Sequence, residues 1–380
     1  MAVSRRDFMG GALMLAAVSA CQPMAKAGLA GSASTQSEWH TIRTYLKELA
    51  HAGRFTGTVL VTQNGRPVLH EAYGMADSAK NEANTPGTRF NIGSMNKMFT
   101  GVAVAQLVQK GELSFQDTVG KYVAGFPSEI ADKVTVHHLL THTAGLGDFT
   151  HREGEKGGLD VDSIMQEIVK QQLKFEPGSR WDYSNAGFIV LGAIVERLSK
   201  QDYNGYIRRH ILKPAGMHDT TFGPYTPSKV AHMAHPYALF DADGSWIGGQ
   251  SSPDGSIPEG EWRDVGDQPD GATPSGGAVS MAGDVLRFSR ALQGHKLLNA
   301  ELTTTVMEGK AQMGPGAEYG YGFINQSHNG VRFVGHSGGT MGYGTVLEMY
   351  PTKGCTVIVL TNKDLVMNEP LKKIRTLITT

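Results

Sequence analysis

Two hairpin signals stand at opposite ends of this 380-residue chain, and their placement restricts the fold more than any other feature. Thr58-Val59-Leu60-Val61-Thr62 and Pro67-Val68-Leu69-His70-Glu71 flank Asn64-Gly65, a dipeptide that supplies the positive φ angles of a tight turn. A matching pair lies at Gly344 to Tyr350 and Cys355 to Leu360, joined by Pro351-Thr352-Lys353-Gly354. Between them the signals are mostly helical, as at Ile164 to Gln172 and Ala186 to Leu198. Short connections make an antiparallel sheet whose N- and C-terminal strands meet, with helices inserted as a second lobe over about 95–280. The fold class is therefore α+β, with helices layered against a sheet.

With 40% apolar and 19% charged residues, the chain can bury the core of one large domain, placed at 38–380. A formal net charge of −1 provides no basic field for a phosphate backbone, which excludes nucleic acid and leaves a small-molecule or peptide substrate as the partner. Oligomeric state leaves no trace in the sequence.

Ser4-Arg5-Arg6-Asp7-Phe8-Met9 followed by an apolar run to Ala20 has the form of a twin-arginine export signal, residues 1–20, too short to span a bilayer permanently. Periplasmic localisation is the expectation. The run ends Val18-Ser19-Ala20-Cys21, which resembles a lipobox, so Cys21 is a candidate for lipidation and membrane anchoring, the alternative being simple cleavage nearby. Residues 21–37 read as a small, polar tether, and helical periodicity starts at Trp39. Cys355 is the second of only two cysteines, so loss or lipidation of Cys21 leaves no intrachain disulfide. Nothing basic lies beside Cys355, which reads as a buried small hydrophobe.

Three segments carry chemistry. In Gly93-Ser94-Met95-Asn96-Lys97, serine and lysine open a helix that stays apolar on almost every side from Met98 to Val108. Residues i and i+3 share a face, so the amine reaches the hydroxyl, and a desolvated lysine can be neutral enough to take its proton. Trp181-Asp182-Tyr183-Ser184-Asn185 places a phenol and an amide two residues apart, just before another helix. Val334-Gly335-His336-Ser337-Gly338-Gly339-Thr340 is a glycine-rich strand against which a substrate backbone could lie, with the amides of Ser94 and Gly339 as an oxyanion hole. The irregular stretch 219–275 reads as a binding wall or, equally, a surface insertion. His137, His138 and His142 could be drawn as metal ligands, but no carboxylate or cysteine falls at a matching spacing, and neither metal nor cofactor is expected.

These segments, in this order, resemble the serine β-lactamase and penicillin-binding protein superfamily, nearest its class C and DD-peptidase branch, which also holds esterases and D-amino-acid peptidases. Its S-x-x-K is Ser94 to Lys97, its Y-x-N is Tyr183 to Asn185, and its third motif is His336-Ser337-Gly338. Leu139 to Leu146, Pro214 to Met217, Gly276 to Ala278 and Tyr319 to Phe323 are similar too, so the likeness runs from about Thr56 to Asn362. The resemblance implies a five-stranded antiparallel sheet flanked by helices beside a helical lobe. It also implies Ser94 as nucleophile, Lys97 as its base, Tyr183 as proton donor to the leaving group, and Asn185 with residues 336–338 as substrate contacts. Many β-lactamases of the superfamily have lysine where this chain has His336, a weaker cation. That departure favours a peptidase of the DD-peptidase or D-amino-acid type, or a carboxylesterase, over a class C-like β-lactamase. A transpeptidase would use the same residues, and a non-catalytic relative that binds peptidoglycan or a protein is the alternative of another class.

Overall fold

The computed structural model describes residues 27–148, 161–223, 226–249, 256–266 and 271–380, with side chains from 37 onward; Cys21 and the export signal lie outside them. Strand β1 (Gly57–Gln63) and strand β2 (Arg66–Tyr73) close over Asn64 and Gly65, whose φ angles are 48° and 74°. Two consecutive positive angles match the right-handed twist of the strands they join. Toward the C-terminus β3 (Ala311–Gly314), β4 (Ala317–Tyr319), β5 (Ile324–His328), β6 (Val331–Thr340), β7 (Tyr343–Tyr350) and β8 (Cys355–Thr361) follow as a meander.

β1 pairs with β8 from Gly57↔Thr361 to Gln63↔Cys355, so the two ends of the chain meet in mid-sheet as the hairpins predict. The order is β2-β1-β8-β7-β6-β5-β4-β3, antiparallel throughout. Eight strands replace the expected five. The additional ones, β3 to β5, are only 4, 3 and 5 residues long, too short for a two-residue alternation to register in sequence.

Helices cover both faces: α1 (Ala27–His51), α2 (Asn96–Gln109), α3 (Asn185–Ser199), α4 (Ala282–Gln293) and α5 (Asn368–Thr379). Alternation along the strands sorts the core. Val59, Val61, Val357 and Val359 face one way, against Trp39, Ile42, Leu46 and Leu49 of α1 and Ile374 of α5. The spacing of those α1 residues puts them on one helix face, and burying each large apolar side chain contributes ~1.5–3 kcal/mol. The helix begins at Ala27, inside the stretch read as a tether; no proline stands between Pro23 and Pro67 to stop it. Leu60, Leu347, Ile358 and Leu360 face the other way, into the helical lobe.

At the heart of that lobe lies α2, with Met98, Phe99, Val102, Ala103, Val104, Ala105 and Leu107 all buried. Its only glycine, Gly101, has no room for a side chain: a Cβ there would stand 2.1 Å from the Tyr321 carbonyl oxygen. β6 pairs with β7 from Val334 to Thr340 but with β5 only from Val331 to Gly335. From His336 onward one edge of β6 therefore has no strand neighbour, and it faces the turn that carries Ser94.

Candidate active site

Ser94 is presented by a short strand and a tight turn. Phe90-Asn91 pairs with Val279-Ser280, Asn91 Oδ1 accepts from the Gly93 amide at 2.9 Å, and Gly93 takes φ +50°. One 3₁₀ turn, Gly93–Met95, then leads into α2. The turn presses on the open edge of β6: a Cβ at Gly93 would lie 2.8 Å from the Gly339 nitrogen, and one at Gly338 would lie 2.0 Å from the Ile92 oxygen. Glycine at these positions is a condition of the close approach.

Tyr183 and Lys97 converge on the Ser94 hydroxyl. Tyr183 donates its phenol proton to Ser94 Oγ at 2.8 Å, and Lys97 Nζ lies 3.2 Å from the same oxygen. Lys97 is 0% exposed, and its amine donates to Asn185 Oδ1 at 2.7 Å and to the Ser275 carbonyl at 2.6 Å. Burial lowers its pKa from 10.5 to about 7, against the opposing pull of the Asp148 carboxylate. A neutral amine has two N–H bonds and one lone pair. The two acceptors take the N–H bonds, and the lone pair is left for the serine proton.

Tyr183 is held by its own loop. Ser184 caps α3 by accepting from the Gly187 amide at 3.2 Å, while Ser184 N donates to His142 Nδ1 at 3.1 Å and Asp182 N to the His142 carbonyl at 2.9 Å. The His142 ring lies against the Tyr183 ring with centroids 4.3 Å apart. Burial pushes the Tyr183 phenol well above its ordinary pKa, so it keeps its proton. Asn185 is oriented from both ends of its amide, since Nδ2 also donates to Asp148 Oδ2 at 3.1 Å.

His336 makes none of these hydrogen bonds. Its ring is buried; Nε2 is 2.8 Å from the Tyr319 hydroxyl and Nδ1 contacts the Ser337 carbonyl. Burial first, and the nearby Lys97 second, lower its pKa to about 3, so the ring is neutral and offers no cation to a substrate. Ser337 and Gly339 are exposed, as is Arg332 near the start of the strand. A cavity of about 230 Å³ opens over Ser94, bounded by Asn185, Thr273, Gly276, Gly339 and Thr340. Thr273 belongs to the irregular stretch, whose last residues thus form a wall of the site. Tyr237–Phe240 and Glu261–Asp264, earlier in that stretch, form a separate two-stranded ribbon.

The three histidines weighed as metal ligands have separate duties. His138 Nδ1 accepts from the Thr135 amide, His137 Nδ1 meets the Tyr321 hydroxyl at 2.9 Å, and His142 holds the Tyr183 loop. Cys355 is buried in β8, where burial raises its thiol pKa. Sequence reasoning missed Asp148 and the Ser275 carbonyl. Asp148 follows the Leu139–Leu146 signature but carries no motif of its own, and a main-chain acceptor leaves no signal in residue identity.

The beta-lactamase family model matches residues 42–377, nearly the whole described chain. Penicillin-binding protein 4* of Bacillus subtilis (strain 168) is 30% identical over 340 residues, covering 87% of this chain and 73% of that protein. The chain belongs to the beta-lactamase family. As a serine hydrolase of that family it is also similar in structure to a penicillin binding protein from Bacillus halodurans, at TM-score 0.74 and 28% identity over 89% of this chain and 98% of the other. D-amino acid amidase from Ochrobactrum anthropi SV3, complexed with L-phenylalanine, shares the fold at TM-score 0.76 and 21% identity, over 89% of this chain and 98% of its own.

Proposed function

We propose that this beta-lactamase-family hydrolase is exported and works through an acyl-enzyme on peptide, D-amino-acid amide or ester bonds, with β-lactams turned over weakly. The observation that carries the reading is the Ser94 hydroxyl, held between a buried amine and a protonated phenol. In acylation Ser94 Oγ attacks the carbonyl carbon as its proton passes to Lys97 Nζ. Charge on the substrate oxygen is met by the amides of Ser94 and Gly339. Collapse breaks the bond to the leaving amine or alkoxide, which takes the Tyr183 proton, and the Lys97 ammonium restores it to the phenol. Water then attacks the ester, its proton leaves by the same two groups, and Ser94 regains a hydrogen.

The neutral, buried His336 supports the choice of substrate. A β-lactam or a peptide C-terminus brings a carboxylate, and among the described residues this site has no cation to spare for it, since Lys97 is occupied as the base. Export is supported by Arg5-Arg6 and the apolar run after them, and a lipid anchor by Cys21. Among the described residues no helix is long and apolar enough to cross a membrane.

The test is intact mass after incubation with a fluorophosphonate and with a penicillin, on the parent and Ser94→Ala, followed by turnover of nitrocefin, p-nitrophenyl esters, D-amino-acid amides and oligopeptides. The expected result is an adduct on the parent only, and amide or ester cleavage that Ser94→Ala reduces at least about 10⁴-fold. Rapid nitrocefin turnover without amide or ester cleavage overturns the substrate assignment. No adduct with either probe overturns the enzyme reading.

A further inference from the structure

Outside the catalytic cleft, several cations gather around a depression of about 540 Å³. Arg208, Lys213 and Lys229 line it, with Arg89, His218 and Asp219. One carboxylate faces four fixed cations there, in a chain whose formal net charge is −1. That carboxylate is already used, since Arg89 Nη2 holds Asp219 Oδ1 at 2.6 Å. Asp284, which reaches the Asp219 amide, is spent on that amide, on Arg287 and on the Thr220 hydroxyl. Arg208, Lys213 and Lys229 have no carboxylate within ion-pair distance among the described residues.

The backbone shows how two of these cations come to lie together. Arg208–Leu212 is a π-helical turn, and the Lys213 amide donates to the Arg208 carbonyl. Residues five apart stack one above the other in a π turn, whereas in an α-helix they would point about 140° apart. The π turn has poorer hydrogen-bond geometry than the α-helix it interrupts, and such turns are frequent at functional sites. It brings two like charges to one wall, which costs free energy unless an anion sits between them. Lys229 approaches from a different loop and Arg89 from the segment before Phe90-Asn91.

We infer that this depression is a binding site for a multivalent phosphate anion, distinct from the Ser94 cleft. An arginine fork with two lysine point charges suits clustered phosphate oxygens, and the volume lies within the range of small-ligand sites. The concave shape favours a soluble phosphate ester or short polyphosphate over a lipid headgroup. Trp246, the one large apolar side chain that is exposed among the described residues, does not line this depression.

The experiment is calorimetric titration of the full chain with inorganic tripolyphosphate at constant ionic strength, and co-sedimentation with phosphatidylcholine vesicles with and without phosphatidylglycerol. Variants are R208Q/K213Q/K229Q and, as a control for general charge, K47Q/K170Q/K296Q at exposed lysines. Saturable tripolyphosphate binding, weakened at least about tenfold in the first variant and by less than about twofold in the second, is the expected result. Equal weakening in both variants, or no saturable binding, overturns the site. Co-sedimentation that needs phosphatidylglycerol and the three cations, without tripolyphosphate binding, overturns the soluble ligand.

Discussion

The two faces of the sheet each bury a charged side chain, and they solve the problem in opposite ways. On the face toward α5, Glu348 is 2% exposed and meets a counter-charge: Arg375 Nε donates to its Oε1 at 2.8 Å, and the Tyr350 hydroxyl donates to Oε2 at 2.5 Å. On the lobe side Lys97 is buried with no carboxylate in contact among the described residues, between a carbonyl, an amide oxygen and a serine. A buried ion with a counter-ion stays ionised and holds structure together, whereas one given only neutral acceptors surrenders its charge. Ionisation thus separates a structural site from a chemical one, although both are buried to the same degree.

Lys97→Met should break the comparison most visibly. Loss of the base is expected to lower the acylation rate about 10⁴-fold. The same variant tests the charge state. Folded, the amine titrates near 7, and unfolded near 10.5, so between those values the unfolded chain holds the extra proton. Parent stability therefore rises with pH across that window by up to about 5 kcal/mol, and below it this group adds no slope. Urea unfolding from pH 6 to 10 checks this, with Lys97→Met lacking that rise; parallel curves would show that the amine is not desolvated.

Glu348→Ala probes the other face. Arg375, 28% exposed, would lose its carboxylate and Tyr350 its acceptor, and a loss of about 1.5–3 kcal/mol is expected in urea unfolding. Turnover per folded molecule should stay within about twofold, because the pair lies across the sheet from Ser94. A large fall in turnover with intact stability would mean that the two faces are coupled.

The smallest expected effect belongs to a third buried group, His336, which like Lys97 has no counter-ion. Tyr319→Phe removes the hydroxyl at its Nε2 and should cost about 1–2 kcal/mol. Imidazole NMR should find the ring neutral down to pH 5 in both proteins. A ring that titrates near its ordinary value would return it to the set of substrate cations.

The parts legible in advance were those written in consecutive side chains. Asn64-Gly65 between β-branched runs marks a hairpin, and Ser94 followed one turn later by Lys97 at the head of an apolar helix marks a hydroxyl and an amine within reach of each other. Residues set by pairing across the chain were not legible. The role of His336 depends on Tyr319, in a strand of 3 residues, and its exposure could not be read from the strand that bears it. Asp148 and the Ser275 carbonyl act through Asn185 and Lys97, residues distant in sequence, and only the fold brings them together.

The pairing of β1 with β8 also has a kinetic consequence. The strand that pairs with β1 is supplied by residues 355–361, so a ribosome must deliver the chain through residue 361 before the first hairpin finds its partner. Folding is then gated by one closure spanning some three hundred residues, the kind of nonlocal step that makes assembly slow. Nascent chains stopped short of residue 355 should remain protease-sensitive, however many of their helices have formed.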